Sequence, residues 1–198
     1  MQNVKIRNYV SEKLVSSDRL IDVAGKCHSR IPFYFLNGYA FSPGSVVLLL
    51  TYRCNQRCKM CFYHEYYEDI KKREPNNTSK ELCLDEIKGL IDDLSDINVP
   101  ILSLHGGEPT LRKDFIEIIN YAKEKCITIR FVTNGINIKN SLARDIVQSQ
   151  NVDHITFSLH GPESVHDEIV GRTGAYRRLI SGIEAITSEI EGDYTKPS

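Results

Sequence analysis

Three cysteines crowd into eight residues. The stretch Thr51-Tyr52-Arg53-Cys54-Asn55-Gln56-Arg57-Cys58-Lys59-Met60-Cys61 reads Cys-x3-Cys-x2-Cys. Thiolates this close together suit soft, thiophilic metals. A structural zinc wants four ligands, and His64 would supply the fourth in Cys58-x2-Cys61-x2-His64. A 4Fe–4S cube held by three cysteines instead leaves one iron open to bind a substrate or cofactor, which is a catalytic arrangement rather than an electron relay. The remaining cysteines, Cys27, Cys83 and Cys126, stand apart and read as isolated structural thiols. With three of the six cysteines clustered and no secretory signal at the N-terminus, metal ligation is the better reading than a disulfide framework.

Further unusual residues recur downstream. Gly106-Gly107-Glu108-Pro109, Thr133-Asn134-Gly135 and Ser158-Leu159-His160-Gly161 each follow an apolar run. Two adjacent glycines let backbone come close to a ligand with no side chain in the way. Asn-Gly is also an ordinary turn.

Elements are needed to bring these motifs together. Val46 to Leu50 is a short β-type apolar run that leads straight into the cysteines. Thr78 and Glu81 fit a capping box, followed by Leu84, Ile87, Leu90, Ile91 and Leu94 at helical spacing. A strand over Val99 to Leu104 precedes a helix marked by Phe115, Ile118, Ile119 and Ala122. A strand over Ile127 to Val132 precedes a helix marked by Leu142, Ala143, Ile146 and Val147. A strand over His154 to Leu159 precedes a helix marked by Tyr176, Leu179, Ile180, Ile183 and Ile186. Four β–α repeats with continuous apolar strands predict an α/β fold, a parallel sheet with outer helices. In such sheets the sites lie at the C-terminal ends of the strands, where all four motifs fall.

Residues 1–44 are irregular in pattern, with weak helical signals over 9–24, an apolar patch at Ile31-Pro32-Phe33-Tyr34-Phe35 and a turn at Ser42-Pro43-Gly44; they read as an N-terminal extension to a core spanning 45–198. Residues 62–77 are polar and tyrosine-rich and read as a loop. The 25 Lys and Arg against 26 Asp and Glu leave no global basic field for nucleic acid. The longest wholly apolar run, Val46 to Leu50, is far short of the roughly 20 residues of a membrane span. A cytoplasmic protein is expected.

Taken in order, the cysteine loop after the first strand and the motifs after the next three resemble the radical SAM superfamily over roughly residues 45–190. The resemblance implies a partial (β/α) TIM-like barrel. It implies a 4Fe–4S cluster on Cys54, Cys58 and Cys61, with S-adenosylmethionine (SAM) chelated to the open iron through its amino nitrogen and carboxylate oxygen. Gly106, Gly107, Glu108 and Pro109 look like the segment that meets the SAM amino group. Thr133 and Asn134 would lie near SAM or substrate. Ser158 would contact the SAM carboxylate or ribose, in a Ser-x-Asp-Gly pattern where His160 replaces the acid. Arg172, in His166-Asp167-x4-Arg172-x-Gly174, is similar to an arginine that pairs with the SAM carboxylate, a task suited to a guanidinium. Met60 stands where the family's adenine contact falls, and its backbone would bind the base.

The activity so implied is that of an oxidoreductase. An electron from flavodoxin or ferredoxin would cleave SAM to methionine and a 5′-deoxyadenosyl radical, which abstracts hydrogen from a peptide or cofactor-precursor substrate. The family's partial barrel has six β–α units and four are read here, so the chain looks C-terminally short. A partner or a second copy completing the barrel is one expectation. A truncated or degenerate cluster-binding accessory protein without turnover is the alternative.

Overall fold

The computed structural model describes residues 42–62 and 81–194, with the side chains of residues 193 and 194 excepted. The expectations for residues 1–41 (with Cys27), for the loop after residue 62 (with His64) and for Thr78 as a helix cap lie outside the described residues.

The strands are β1 Val46–Thr51, β2 Ile101–Gly106, β3 Thr128–Thr133 and β4 Val152–Phe157. The helices are α1 Leu84–Asp96, α2 Phe115–Glu124, α3 Asn140–Ser149, α4 Glu163–Val170 and α5 Ala175–Tyr194, with a 3-10 turn at Pro109–Leu111. The strands pair in parallel in the order β1-β2-β3-β4. Each strand therefore lies beside the one that precedes it in the chain, as the staves of a barrel do, and the fold is the expected α/β arrangement of a partial (β/α) barrel.

Alternation along the strands gives the sheet two unlike faces. Leu102 and Leu104 of β2 and Ile129 and Phe131 of β3 point to the helices and are buried. Ile87 and Ile91 of α1 and Phe115, Ile118, Ile119 and Ala122 of α2 meet them, with the Phe115 ring edge-on to Phe131 at 5.2 Å. The opposite face carries Val47, Leu49, Ser103, His105, Arg130, Val132, His154 and Thr156. There Val47 is 57% and Leu49 39% exposed.

Several boundaries differ from the sequence reading. Val99 is buried but lies in the connection, its N–H donating to the Leu94 carbonyl, and β2 begins after Pro100. The other strand limits shift by one or two residues, so that Gly106 and Thr133 close their strands. Helix α1 starts at Leu84, and Glu86 accepts from the Cys83 N–H at 2.8 Å. Glu81 does not act as a helix-capping residue: it accepts from the Thr51 hydroxyl (2.6 Å) and the Tyr52 N–H (3.0 Å) at the root of the cysteine loop. The segment between β4 and the last helix holds α4, whose two turns were too short for the apolar period to reveal.

Buried Arg112 ties the first β–α unit together. It forms a two-pronged ion pair with Asp114 (2.8 and 2.6 Å) and donates to the carbonyls of Leu50 and Leu82. The end of β1 is thus fixed beside the start of α1.

Candidate active site

The cysteine loop leaves β1 and is held by backbone along its whole length. The Gly107 N–H donates to the Thr51 carbonyl (2.6 Å) and the Glu108 N–H to the Arg53 carbonyl (2.8 Å). On its far side the Arg57 N–H donates to Val170 (3.1 Å) and the Lys59 N–H to Ile169 (2.8 Å), at the end of α4. Arg172 donates from Nη1 to the Asn55 carbonyl at 2.6 Å. A loop gripped from β2 and from α4 keeps its cysteines in place before any metal arrives.

The close approach explains the glycines. A Cβ on Gly106, where φ is +125°, would lie 2.3 Å from the Thr51 carbonyl oxygen, and one on Gly107 would lie 2.3 Å from that of Arg53. The backbone that these glycines admit belongs to the chain's own cysteine loop. Gly171 plays the same part at α4, its Cβ position 2.9 Å from the Arg57 carbonyl oxygen.

Cys54, Cys58 and Cys61 are all half-buried. Burial pushes the Cys58 thiol up to about 11, and the neighbouring charges of Cys54 and Cys61 push it the same way. Cys54 is raised by burial first, with Glu108 and Cys61 adding to it. The three sulfurs therefore feel one another, and ionising them together calls for a cation. Among the described residues no three His, Cys, Asp or Glu side chains converge on a single ion. A cube needs no such point, because each cysteine binds a different iron. The donor set is three soft thiolates, which fits iron–sulfur chemistry.

Glu108 is fully buried, and its carboxylate locks two strand ends together. One oxygen accepts from the Thr110 hydroxyl (2.6 Å), the Thr110 N–H (3.2 Å) and the Thr133 hydroxyl (2.8 Å). The other accepts from the Asn134 N–H at 2.7 Å. Burial raises its pKa against the pull of these bonds. Pro109 is buried as the first residue of the 3-10 turn. Asn134 turns towards the cysteines, its Nδ2 lying 2.7 Å from Asn55 Oδ1 and 3.9 Å from Cys54 Sγ.

Ser158 sits just past β4, half-buried, its N–H donating to the Thr133 carbonyl at 3.0 Å. Met60 is 57% exposed on the cysteine loop. His166, expected only as part of the arginine motif, is fully buried; its Nδ1 accepts from the His160 N–H (3.3 Å), and its ring stacks on that of His160 at 5.6 Å. Asp167 accepts from the N–H groups of Gly174 (2.5 Å) and Tyr176 (2.8 Å), which fixes the turn carrying Arg172. The structure thus brings Cys54, Cys58, Cys61, Gly106, Gly107, Asn134 and Arg172 around one loop. Sequence reasoning passed over Gln56 and Asn55, which were spacers in the cysteine motif; Asp167 was named only as part of the arginine motif, without its role in fixing the turn.

Comparison with known proteins agrees with this geometry. The family model described as the radical SAM superfamily matches residues 48–195. The Fe-coproporphyrin III synthase of Methanosarcina barkeri is 32% identical over 165 residues, covering 83% of this chain and 39% of that protein. The mycofactocin maturase MftC of Mycolicibacterium smegmatis is 31% identical over 139 residues, covering 70% of this chain and 33% of its own. The chain thus spans about two fifths of the length of these curated relatives, or less. Among solved structures, SuiB of Streptococcus suis bound to S-adenosylmethionine superposes with a TM-score of 0.62 at 18% identity, covering 85% of this chain and 38% of SuiB. At that identity the likeness speaks for the fold alone.

Proposed function

Because the chain belongs to the radical SAM superfamily, we propose that Cys54, Cys58 and Cys61 hold a 4Fe–4S cluster whose fourth iron takes S-adenosylmethionine. One observation carries this reading. The loop bearing the three half-buried cysteines is pinned to the Gly106-Gly107 backbone on one side and to α4 and Arg172 on the other. Bound together, the cluster and SAM supply the reductive cleavage of a carbon–sulfur bond that yields a 5′-deoxyadenosyl radical.

The chain's own residues bind and orient. The backbone of Gly106 and Gly107 with Glu108 and Pro109 faces the amino group of SAM, while the Glu108 carboxylate holds that segment against Thr133 and Asn134. Ser158 and Arg172 take the carboxylate and ribose side, and the Met60 backbone takes the adenine. Arg172 keeps one nitrogen on the Asn55 carbonyl, so its hold on SAM and its hold on the cysteine loop are linked.

The electron comes from an external flavodoxin or ferredoxin. The substrate is a peptide or cofactor precursor. The maturase name of one relative supports this. A partner or a second copy would complete the barrel, a reading supported by the exposure of Val47 and Leu49.

Anaerobic reconstitution with iron and sulfide, then dithionite and SAM, tests the proposal. The expected result is about four irons per chain and release of 5′-deoxyadenosine. A full cluster without that product would leave a cluster-binding accessory protein. Stoichiometric zinc with no iron would overturn the cluster itself.

A further inference from the structure

Two side-chain carboxamides face the sulfurs of the cysteine loop. Asn134 Nδ2 lies 3.9 Å from Cys54 Sγ. Gln56, only 5% exposed, has its Oε1 3.6 Å from Cys58 Sγ, accepting from the thiol. Its Nε2 is buried with no hydrogen-bond partner. A buried amide donor without an acceptor is costly and asks for an explanation.

The explanation lies in what happens when the cysteines become ligands. A ligating cysteine is a thiolate and has no S–H to give. The Gln56 carbonyl oxygen would then face a negative sulfur. Half a turn of the carboxamide exchanges its oxygen and nitrogen in nearly the same volume. The orphaned Nε2–H then points at Cys58 Sγ, and Oε1 moves into the position that Nε2 leaves. Asn134 needs no turn, because its nitrogen already faces Cys54 while its other hydrogen goes to Asn55. Its own carbonyl oxygen accepts from the Ile136 N–H at 3.0 Å, which fixes which end of the amide faces the sulfur.

We propose that Gln56 and Asn134 are positioning residues that donate N–H···S hydrogen bonds to Cys58 and Cys54 and so set the reduction potential of the cluster. This rests on the cluster reading above. Hydrogen bonds to cluster sulfurs favour the more negative, reduced state, because the added electron enlarges the charge on sulfur. The Gln56 amide is shielded from solvent, where such a bond counts for more than in water.

The test is an EPR-monitored potentiometric titration of the reconstituted full chain with dithionite, comparing wild type with Gln56→Leu, Gln56→Glu and Asn134→Asp. Glutamate keeps the volume of glutamine and aspartate keeps the acceptor for Ile136, while both lose the donor, so at least one variant at each position retains the local packing. Circular dichroism and iron content accompany each titration. At full cluster content, each lost donor is expected to lower the ratio of reduced to oxidised cluster at fixed potential by up to about tenfold. That is up to about 59 mV towards more negative potential for one electron. Unchanged potentials in Gln56→Leu and Asn134→Asp, with iron content equal to wild type, would overturn the assignment and leave the cluster reading standing. A wild-type chain that takes up no iron would overturn both.

Discussion

At the scale of single residues, the five cysteines among the described residues divide by position. Cys54, Cys58 and Cys61 lie half-buried in one loop, the thiols of Cys54 and Cys58 raised by burial, whereas Cys83 and Cys126 are exposed and apart. Cys54→Ser, Cys58→Ser and Cys61→Ser are each expected to bring iron uptake on reconstitution close to background. Cys83→Ser and Cys126→Ser should retain wild-type iron. Colorimetric iron and sulfide analysis checks this, and a fully loaded Cys58→Ser chain would remove that residue from the ligand set.

The next scale is the element, and here the loop depends on what it packs against. Gly107→Ala places a methyl group 2.3 Å from the Arg53 carbonyl oxygen, where the close neighbours are backbone atoms of Tyr52 and Arg53 and not a flexible side chain. The loop must shift away from β2, at a cost of roughly 2–4 kcal/mol. Lower melting temperature and reduced iron content are expected together. Wild-type values for both would show that β2 does not constrain the loop.

Helix α4 is predicted to make its own contribution to pH sensitivity. Burial, and then the charge of His160, hold His166 below the ordinary histidine value of 6.5, while Asp167 pulls weakly the other way. The unfolded chain takes up this proton more readily than the folded one. The stability concerned is therefore fully present above about pH 6.5 and is lost as pH falls from there through the depressed value of the folded state. Urea midpoints of the apo chain at about pH 7.5 and about pH 5.5 should fall further for wild type than for His166→Gln. Equal losses would show that His166 takes up its proton freely. Asp167 is itself depressed by the N–H groups it caps, so its contribution disappears only at more acid pH, below about 3.8.

For the whole molecule, the two faces of the sheet make the sharpest contrast. Leu104 faces the helices with no exposed surface, whereas Val47 is 57% exposed on the opposite side. Leu104→Ala is expected to cost about 3 kcal/mol, and Val47→Thr less than about 0.5 kcal/mol. Chemical denaturation measures both. A large loss at Val47 would mean that its face is already packed in solution. The four strand ends meet the same edge, and that edge holds every motif discussed above, so the architecture works as a frame for one site.

Much of this was legible in the sequence, for identifiable reasons. Apolar residues at period 2 and near 3.6 are a local code. Phe115, Ile118, Ile119 and Ala122 are all buried, as their spacing required. The Cys-x3-Cys-x2-Cys spacing and the motifs after each strand were enough to specify the family and the parallel sheet. The tertiary structure decided which neighbour each motif serves. Gly106 and Gly107 admit backbone that lies more than fifty residues earlier in the chain, and Glu108 ties strand ends together. Arg172 reaches the Asn55 carbonyl across 117 residues of sequence. Gln56 was only a spacer until the fold buried it beside Cys58. Such pairings carry no local signature, because hydrogen bonds and burial depend on distance in space, and a one-dimensional pattern records only distance along the chain.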